Sequence, residues 1–442
     1  MAVGRDGRLS SPALEAALVE GLVAGGVEVA LVGLGPSPML YYAEASAQQV
    51  QGGVQVTGSH NPADHNGFKI VMGGLPFFGV AIKNLGRLAG EGGWLKGGEI
   101  GRGGICEDRE LLGPYIDRLT AGLDGLTGEA RERLATMRIG WDAGNGAAGP
   151  AIEALTKRLP GEHHLLFTEV DGHFPNHHPD PSKPENLRDV MAALKSGDAE
   201  LGLAFDGDGD RLGIVTKEGN TIYPDRQMML FARDVLQRAP GGTIVFDVKC
   251  SQQLAPAIAA AGGVPMMFKT GHSLIKAKMK EIDSPLGGEM SGHIFFKERW
   301  YGFDDGTYAG CRLLEIVSRS PDANAVLNAL PTSFSTPELN VKCAEGEPHR
   351  VTDALQKVAA ATLAAAATAQ GRDPALAHIN TIDGLRVDWP DGFGLVRGSN
   401  TTPVLVLRFE GHTPEALHRI EADMLALLRS VKPDAAIEAA AH

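Results

Sequence analysis

Thr57-Gly58-Ser59-His60-Asn61-Pro62 sets a serine hydroxyl in a tight polar turn, with His60 beside it and Lys69 a few residues on. Such a hydroxyl is a weak nucleophile unless a neighbouring base takes its proton or it carries phosphate from the start. Much later, Asp206-Gly207-Asp208-Gly209-Asp210-Arg211 sets carboxylates at alternate positions, with glycines that let the backbone curl around an ion. Mg2+ takes oxygen ligands in an octahedron and keeps positions for water or phosphate. Asp206, Asp208 and Asp210, with a phosphorylated Ser59 oxygen, would suit it, and Arg211 would then hold a phosphate beside the ion. The two segments are the halves of a phosphoryl-transfer site. An EF-hand fails, because Arg211 and Lys217 stand where that loop needs glycine and glutamate. Asp206-Gly207-Asp208-Gly209 also fits an aspartyl-phosphate pattern with Asp206 as nucleophile, so that chemistry stays open from these residues.

Two further segments can grip a phosphorylated sugar. In Gly288-Glu289-Met290-Ser291-Gly292-His293, Glu289 and Ser291 suit vicinal hydroxyls, and His293 can serve a proton or a phosphate. Arg397-Gly398-Ser399-Asn400-Thr401 combines an arginine fork, two hydroxyls and backbone amides, a cradle for a phosphate dianion. The pairs His163-His164 and His177-His178 lack a third ligand at useful spacing and read as loop histidines. Gly144-Asn145-Gly146-Ala147-Ala148-Gly149 matches a dinucleotide fingerprint, but Pro150 follows at once, and it reads as a tight strand-to-helix turn.

The elements that must position these loops alternate. Val27–Val32, Gly53–Val56, Arg138–Asp142, Leu201–Phe205, Thr243–Val248 and Val264–Phe268 read as buried strands. Ser11–Ala24, Pro150–Arg158, Leu187–Leu194, Gln227–Leu236 and Gln252–Ala261 read as helices packed on them. Ser59 and Asp206 each follow a strand-like run, as loops at the carboxyl ends of parallel strands should. After residue 333 the texture changes. A helix at Asp353–Ala369, strands at Gly384–Trp389, Phe393–Val396 and Pro403–Phe409 and a helix at Pro414–Arg429 predict an antiparallel α+β domain. The expected fold is three similar α/β domains with mixed, largely parallel sheets plus a C-terminal α+β domain with an antiparallel sheet. Its expected boundaries are 1–120, 121–221, 222–332 and 333–442.

A chain of 442 residues with 43% hydrophobic and 21% charged residues is ordinary globular material. Its net charge of −13 argues against nucleic acid and anionic membranes as partners. A phosphate site must therefore be locally basic, with Arg211, Lys249, Lys269 and Arg397 as candidates. Four scattered cysteines form no CxxC pair, and no apolar run reaches the ~20 residues of a membrane span. A cytoplasmic location is expected.

Taken together, the four motif segments resemble the α-D-phosphohexomutase family, most closely its bifunctional phosphomannomutase/phosphoglucomutase branch. The run Ile294-Phe295-Phe296-Lys297-Glu298-Arg299-Trp300-Tyr301-Gly302-Phe303-Asp304-Asp305-Gly306 carries the branch resemblance. Asp247-Val248-Lys249-Cys250-Ser251 and Lys269-Thr270-Gly271-His272-Ser273 also resemble the family and would bring Lys249 and His272 to the pocket. The resemblance implies a mutase that interconverts hexose 1-phosphate and hexose 6-phosphate, of mannose or glucose. Phosphorylated Ser59 would give its phosphate to the bound sugar phosphate, and the bisphosphorylated intermediate would turn over and return the other one. Catalytic roles fall to Ser59, His60, Lys69, Arg211 and His293, with Lys69 and His293 as proton-transfer candidates. Substrate contacts fall to Lys249, His272, Glu289, Ser291, Arg397, Ser399, Asn400 and Thr401. Mg2+ is the expected cofactor, glucose 1,6-bisphosphate or mannose 1,6-bisphosphate the activator, and a monomer or weak homodimer the expected state. Two departures stand out. Thr402 occupies a position where the family often has an acidic residue or glutamine. The family's opening strand and helix before Gly4-Arg5-Asp6-Gly7-Arg8 are not in this sequence, which predicts a first sheet short of a strand and leaves a non-catalytic or weakened sugar-phosphate binder as the alternative reading.

Overall fold

The computed structural model describes residues 1–92, 104–197, 199–400 and 402–439. They form two compact units, one of residues 1–243 with 272–330 and one of 244–271 with 331–442.

The first unit holds two mixed sheets. In one, the strand order is Leu75–Pro76, Phe68–Met72, Gly52–Val56, Ala2–Arg5, Val29–Leu34, Cys106–Asp108. Ala2–Arg5, unassigned by the sequence reading, runs parallel to both Val29–Leu34 and Gly52–Val56 in the interior of the sheet. Its outer strands, Leu75–Pro76 and Cys106–Asp108, are very short, which limits edge-to-edge pairing. In the other sheet, Arg138–Asp142 is parallel to Glu162–Leu166 and Leu201–Phe205, and Leu212–Thr216 returns antiparallel. Leu201–Phe205 is buried along its whole length, as expected for a strand covered on both faces. Helix Arg188–Lys195 contributes Val190 and Leu194, which with Leu187 pack on Ala204 and Val215. The hairpin of Leu286–Gly288 and Ile294–Phe296 belongs to the same unit.

The second unit contains neighbouring strands Thr243–Asp247 (from Ile244) and Val264–Phe268, and a C-terminal antiparallel sheet. Gly392–Gly398 and Val404–Gly411 form its centre. Helix Glu347–Ala369 presents Val351, Leu355, Ala359 and Leu363 at four-residue spacing, and helix Pro414–Val431 presents Ile420, Met424 and Leu427. Both apolar stripes pack on Leu385, Val387, Leu405, Leu407 and Phe409. The architecture is thus α/β with mixed, largely parallel sheets followed by an antiparallel α+β region, as the alternation of runs predicts.

The sequence reading is close for most elements and misplaces some. His163 and His164 lie in strand Glu162–Leu166, not in a loop. His163 Nδ1 accepts from Trp141 Nε1 at 3.1 Å, so its role is to partner a buried indole. Gly144 to Ala148 is the expected turn between strand Arg138–Asp142 and helix Gly149–Thr156.

Candidate active site

Strand Gly52–Val56 delivers Thr57 to Asn61 at its carboxyl end, and strand Leu201–Phe205 delivers Asp206 to Arg211. The two loops meet. Ser59 Oγ donates to Asp206 Oδ2 at 3.3 Å and lies 3.3 Å from His60 Nδ1. Ser59 itself is in the left-handed region, φ 51°, a strained conformation for a residue other than glycine. Gly207 lets the loops approach, since a Cβ there would stand 2.4 Å from Ser59 O. The Asp206–Arg211 loop is pinned from two more sides, by Ala147 N to Gly207 O at 2.9 Å and Ser37 N to Asp208 O at 2.9 Å.

Asp206, Asp208 and Asp210 are fully buried, and one carboxylate oxygen from each lies within 4.8 Å of the others. Asp208 Oδ1 and Asp210 Oδ1 are buried with no hydrogen-bond partner. Three buried carboxylates with an oxygen apiece converging are the donor set of a hard divalent cation, and the residues fit Mg2+. Lys69 offsets part of the cluster's charge, with Nζ 2.6 Å from Asp208 Oδ2 and 2.5 Å from Asp210 Oδ2. Burial and the neighbouring carboxylates push Asp206 well above the usual range. Burial also pushes Asp208 up, but Lys69 and the Ser37 hydroxyl outweigh it and hold the carboxyl at about 2. Burial works against the charge of Lys69, yet Asp208 and Asp210 raise it well above its ordinary value.

His293 joins this cluster from the hairpin loop. Arg211 Nε donates to His293 Nε2 at 3.0 Å, which places the imidazole proton on Nδ1. That nitrogen lies 2.9 Å from Asp304 Oδ2 and 3.3 Å from Asp210 Oδ1. His272 stacks on His293 with ring centroids 5.3 Å apart and has Nδ1 3.5 Å from Asp304. Lys276 Nζ takes the other oxygen of Asp304 at 2.8 Å. Burial pushes both histidines down to about 4, so both rings are neutral at neutral pH. Glu289 is buried in the same loop, its N–H donating to His293 O at 2.9 Å, and Ser291 is partly exposed.

In the second unit, Arg397 is the penultimate residue of strand Gly392–Gly398 and is buried. Its Nε donates to Asp383 Oδ2 at 2.9 Å, while Nη2 has no hydrogen-bond partner. Asp383 also accepts from Thr270 N, and Asn400 Nδ2 donates to Thr270 O at 3.3 Å. Ser399 N–H closes the loop on Val404 O. Lys249 Nζ is 3.1 Å from Glu338. Thr401 lies outside the described residues.

Models of the four domains of one family match most of the chain. The Phosphoglucomutase/phosphomannomutase alpha/beta/alpha domains I, II and III match residues 1–87, 113–219 and 223–334, and the C-terminal domain of the same family matches residues 338–427. The chain belongs to the phosphoglucomutase/phosphomannomutase family. It is 51% identical to a phosphoglucomutase of Neisseria gonorrhoeae over 97% of this chain and 88% of the relative. A phosphomannomutase/phosphoglucomutase of Pseudomonas aeruginosa is 48% identical over 98% of this chain and 88% of its own length. A crystal structure of a phosphoglucomutase/phosphomannomutase family protein from Burkholderia thailandensis superimposes with a TM-score of 0.87 at 47% identity, covering 99% of this chain and 90% of that one.

Three residues of this family member's site escaped sequence reasoning. Asp304 sits inside a quoted run without a role, yet it faces His293, His272 and Lys276 at once. Ser37 lies 171 residues from Asp208, which its hydroxyl meets, and gave no signal. Arg8 stood in a recognised turn, but nothing local tells which loop it reaches.

Proposed function

We propose that the chain is a phosphohexomutase that interconverts hexose 1-phosphate and hexose 6-phosphate, of mannose or glucose, through phosphorylated Ser59 and a bisphosphorylated sugar. The observation that carries this is the Ser59 hydroxyl 3.3 Å from Asp206 in a buried carboxylate triad. In the first transfer the Ser59 O–P bond breaks, a sugar O–P bond forms and the sugar hydroxyl gives up its proton. In the return transfer the other sugar O–P bond breaks, the Ser59 O–P bond re-forms, the Ser59 hydroxyl gives up its proton and the released sugar oxygen takes one up. Mg2+ held by Asp206, Asp208, Asp210 and the phosphoserine would stabilise charge on the transferring group. His293, set between Arg211 and Asp304, is one candidate for proton transfer. Lys69, paired with Asp208 and Asp210, is the other candidate for proton transfer. His60 and Arg211 flank the phosphate. Glu289, Ser291, His272 and Lys249 take the sugar, and Arg397, Ser399, Asn400 and Thr401 take the phosphate that does not react. The unpartnered Arg397 Nη2 supports that assignment. Family domains at 1–120, 121–221, 222–332 and 333–442, a cytoplasmic location, a monomer or weak homodimer, and a hexose 1,6-bisphosphate activator complete the reading.

The test is a coupled assay with mannose 1-phosphate and glucose 1-phosphate, Mg2+ and a trace of glucose 1,6-bisphosphate. Turnover should fall by at least about 10³-fold in Ser59→Ala, as expected for loss of a nucleophile. An acid-stable phosphate should map to Ser59. A hydroxylamine-labile phosphate on Asp206, or equal turnover in the variant, would overturn the assignment.

A further inference from the structure

We propose that Arg8 and His178 are positioning residues that grip the nucleophile loop from behind by its backbone carbonyls. The inference rests on the mutase reading for its kinetic meaning and on geometry for its substance. Arg8 is 1% exposed. Its Nη2 donates to Ser59 O at 2.7 Å and Asn61 O at 2.6 Å. Its Nη1 donates to His65 O at 2.9 Å and also to Pro62 O. Four carbonyls of one loop thus converge on a single guanidinium. Asp6 fixes the guanidinium in turn, accepting from Arg8 Nε at 3.2 Å while also accepting from Thr57 Oγ1 at 2.8 Å and Gly58 N at 3.1 Å. The carbonyl between them, His60 O, is 2.5 Å from His178 Nε2. A carbonyl only accepts, so that nitrogen carries the proton. The next residue, Pro179, accepts from Gly207 N at 3.2 Å, so the same segment also touches the metal loop.

Carbonyls turned toward Arg8 and His178 leave the Ser59 hydroxyl turned toward Asp206. The contacts also over-determine the left-handed Ser59 conformation. A planar five-donor fork can satisfy several carbonyls at once, which a lysine ammonium on a flexible stem cannot match in direction. Gly58 belongs to the device, since a Cβ there would stand 2.5 Å from Arg8 Cζ.

The experiment compares wild type, Arg8→Lys, His178→Ala and His178→Gln by steady-state kinetics per folded molecule and by amide exchange over Gly58–Asn66. In Arg8→Lys, kcat should fall about 10- to 100-fold, the size expected for a misplaced reacting group. KM should move less than about threefold and loop exchange should accelerate about tenfold or more. His178→Ala should do the same to a smaller extent, and glutamine, whose amide can donate at the Nε2 position, should restore it. Unchanged kcat in Arg8→Lys beside an active wild type overturns the positioning role, whatever exchange shows. Absence of turnover in wild type sinks the mutase reading instead, and loop exchange alone then decides the clamp: acceleration upholds it and no change overturns it.

Discussion

At the scale of single residues, Lys69 holds the balance of charge. Three buried carboxylates repel one another, and the Lys69 ammonium is paired with two of them. Removing one partner of a buried ion pair costs about 3–5 kcal/mol, because the remaining charge is left unpaired in a poor solvent. Lys69→Gln should therefore melt at a lower temperature in EDTA, and Mg2+ should recover more of the loss than it adds to wild type. Thermal melts with and without Mg2+ measure this, and an equal drop under both conditions would show that Lys69 does not balance the triad. Asp208→Asn removes a donor and should weaken Mg2+ binding by at least about tenfold, read by titration calorimetry.

At the scale of elements, two loops are joined across two sheets by the segment that carries His177 and His178. His177 Nε2 lies 3.0 Å from Asp142 Oδ2, at the end of strand Arg138–Asp142. Burial pushes this imidazole down, but Asp142 outweighs it and the net shift is upward. A group with a raised folded value stabilises the fold fully below its unfolded pKa, about 6.5 for histidine. That stability is lost as pH rises through the raised value. Wild type should lose melting temperature between pH 6 and pH 8 relative to His177→Gln, which cannot titrate. Parallel pH profiles for the two proteins would remove the linkage. The elements also show what local sequence can reveal. Leu201–Phe205 and Val264–Phe268 were read from apolar runs, with bounds that match. Ala2–Arg5 was not read, because four residues are too few to show a period, and only two parallel neighbours make them a strand. His163 and His164 were assigned to a loop because polar imidazoles obscure a half-exposed edge strand that is defined by its pairing with Arg138–Asp142.

At the scale of the molecule, the two compact units carry separate cores, and the carboxylate triad belongs to the first. A ligand stabilises the unit it binds in proportion to the logarithm of its concentration over Kd, about 2.7 kcal/mol at a hundredfold excess over Kd. Scanning calorimetry should resolve two transitions. Mg2+ should raise the one from the first unit, whereas Leu355→Ala, in the core of the second, should lower the other by about 2–5 kcal/mol. A single transition that moves equally in both experiments would show the units unfold as one.

Chemistry confined to one turn of chain was decided by sequence. Thr57 to Pro62 and Asp206 to Arg211 each bring their functional groups together within six residues, so residue type and spacing suffice to name a phosphoryl-transfer site. Alternating apolar runs likewise settled the fold class, because a buried strand and an amphipathic helix each write their period into the chain. The tertiary structure decided what depends on partners distant in sequence. Asp304 behind His293, Ser37 on Asp208, and Arg8 and His178 beneath Ser59 act through contacts 11 to 171 residues away. Nothing at their own positions encodes which carbonyl or carboxylate they will meet. Sheet order brings those groups together, and so it also decides which of several plausible polar residues meet the Ser59 loop.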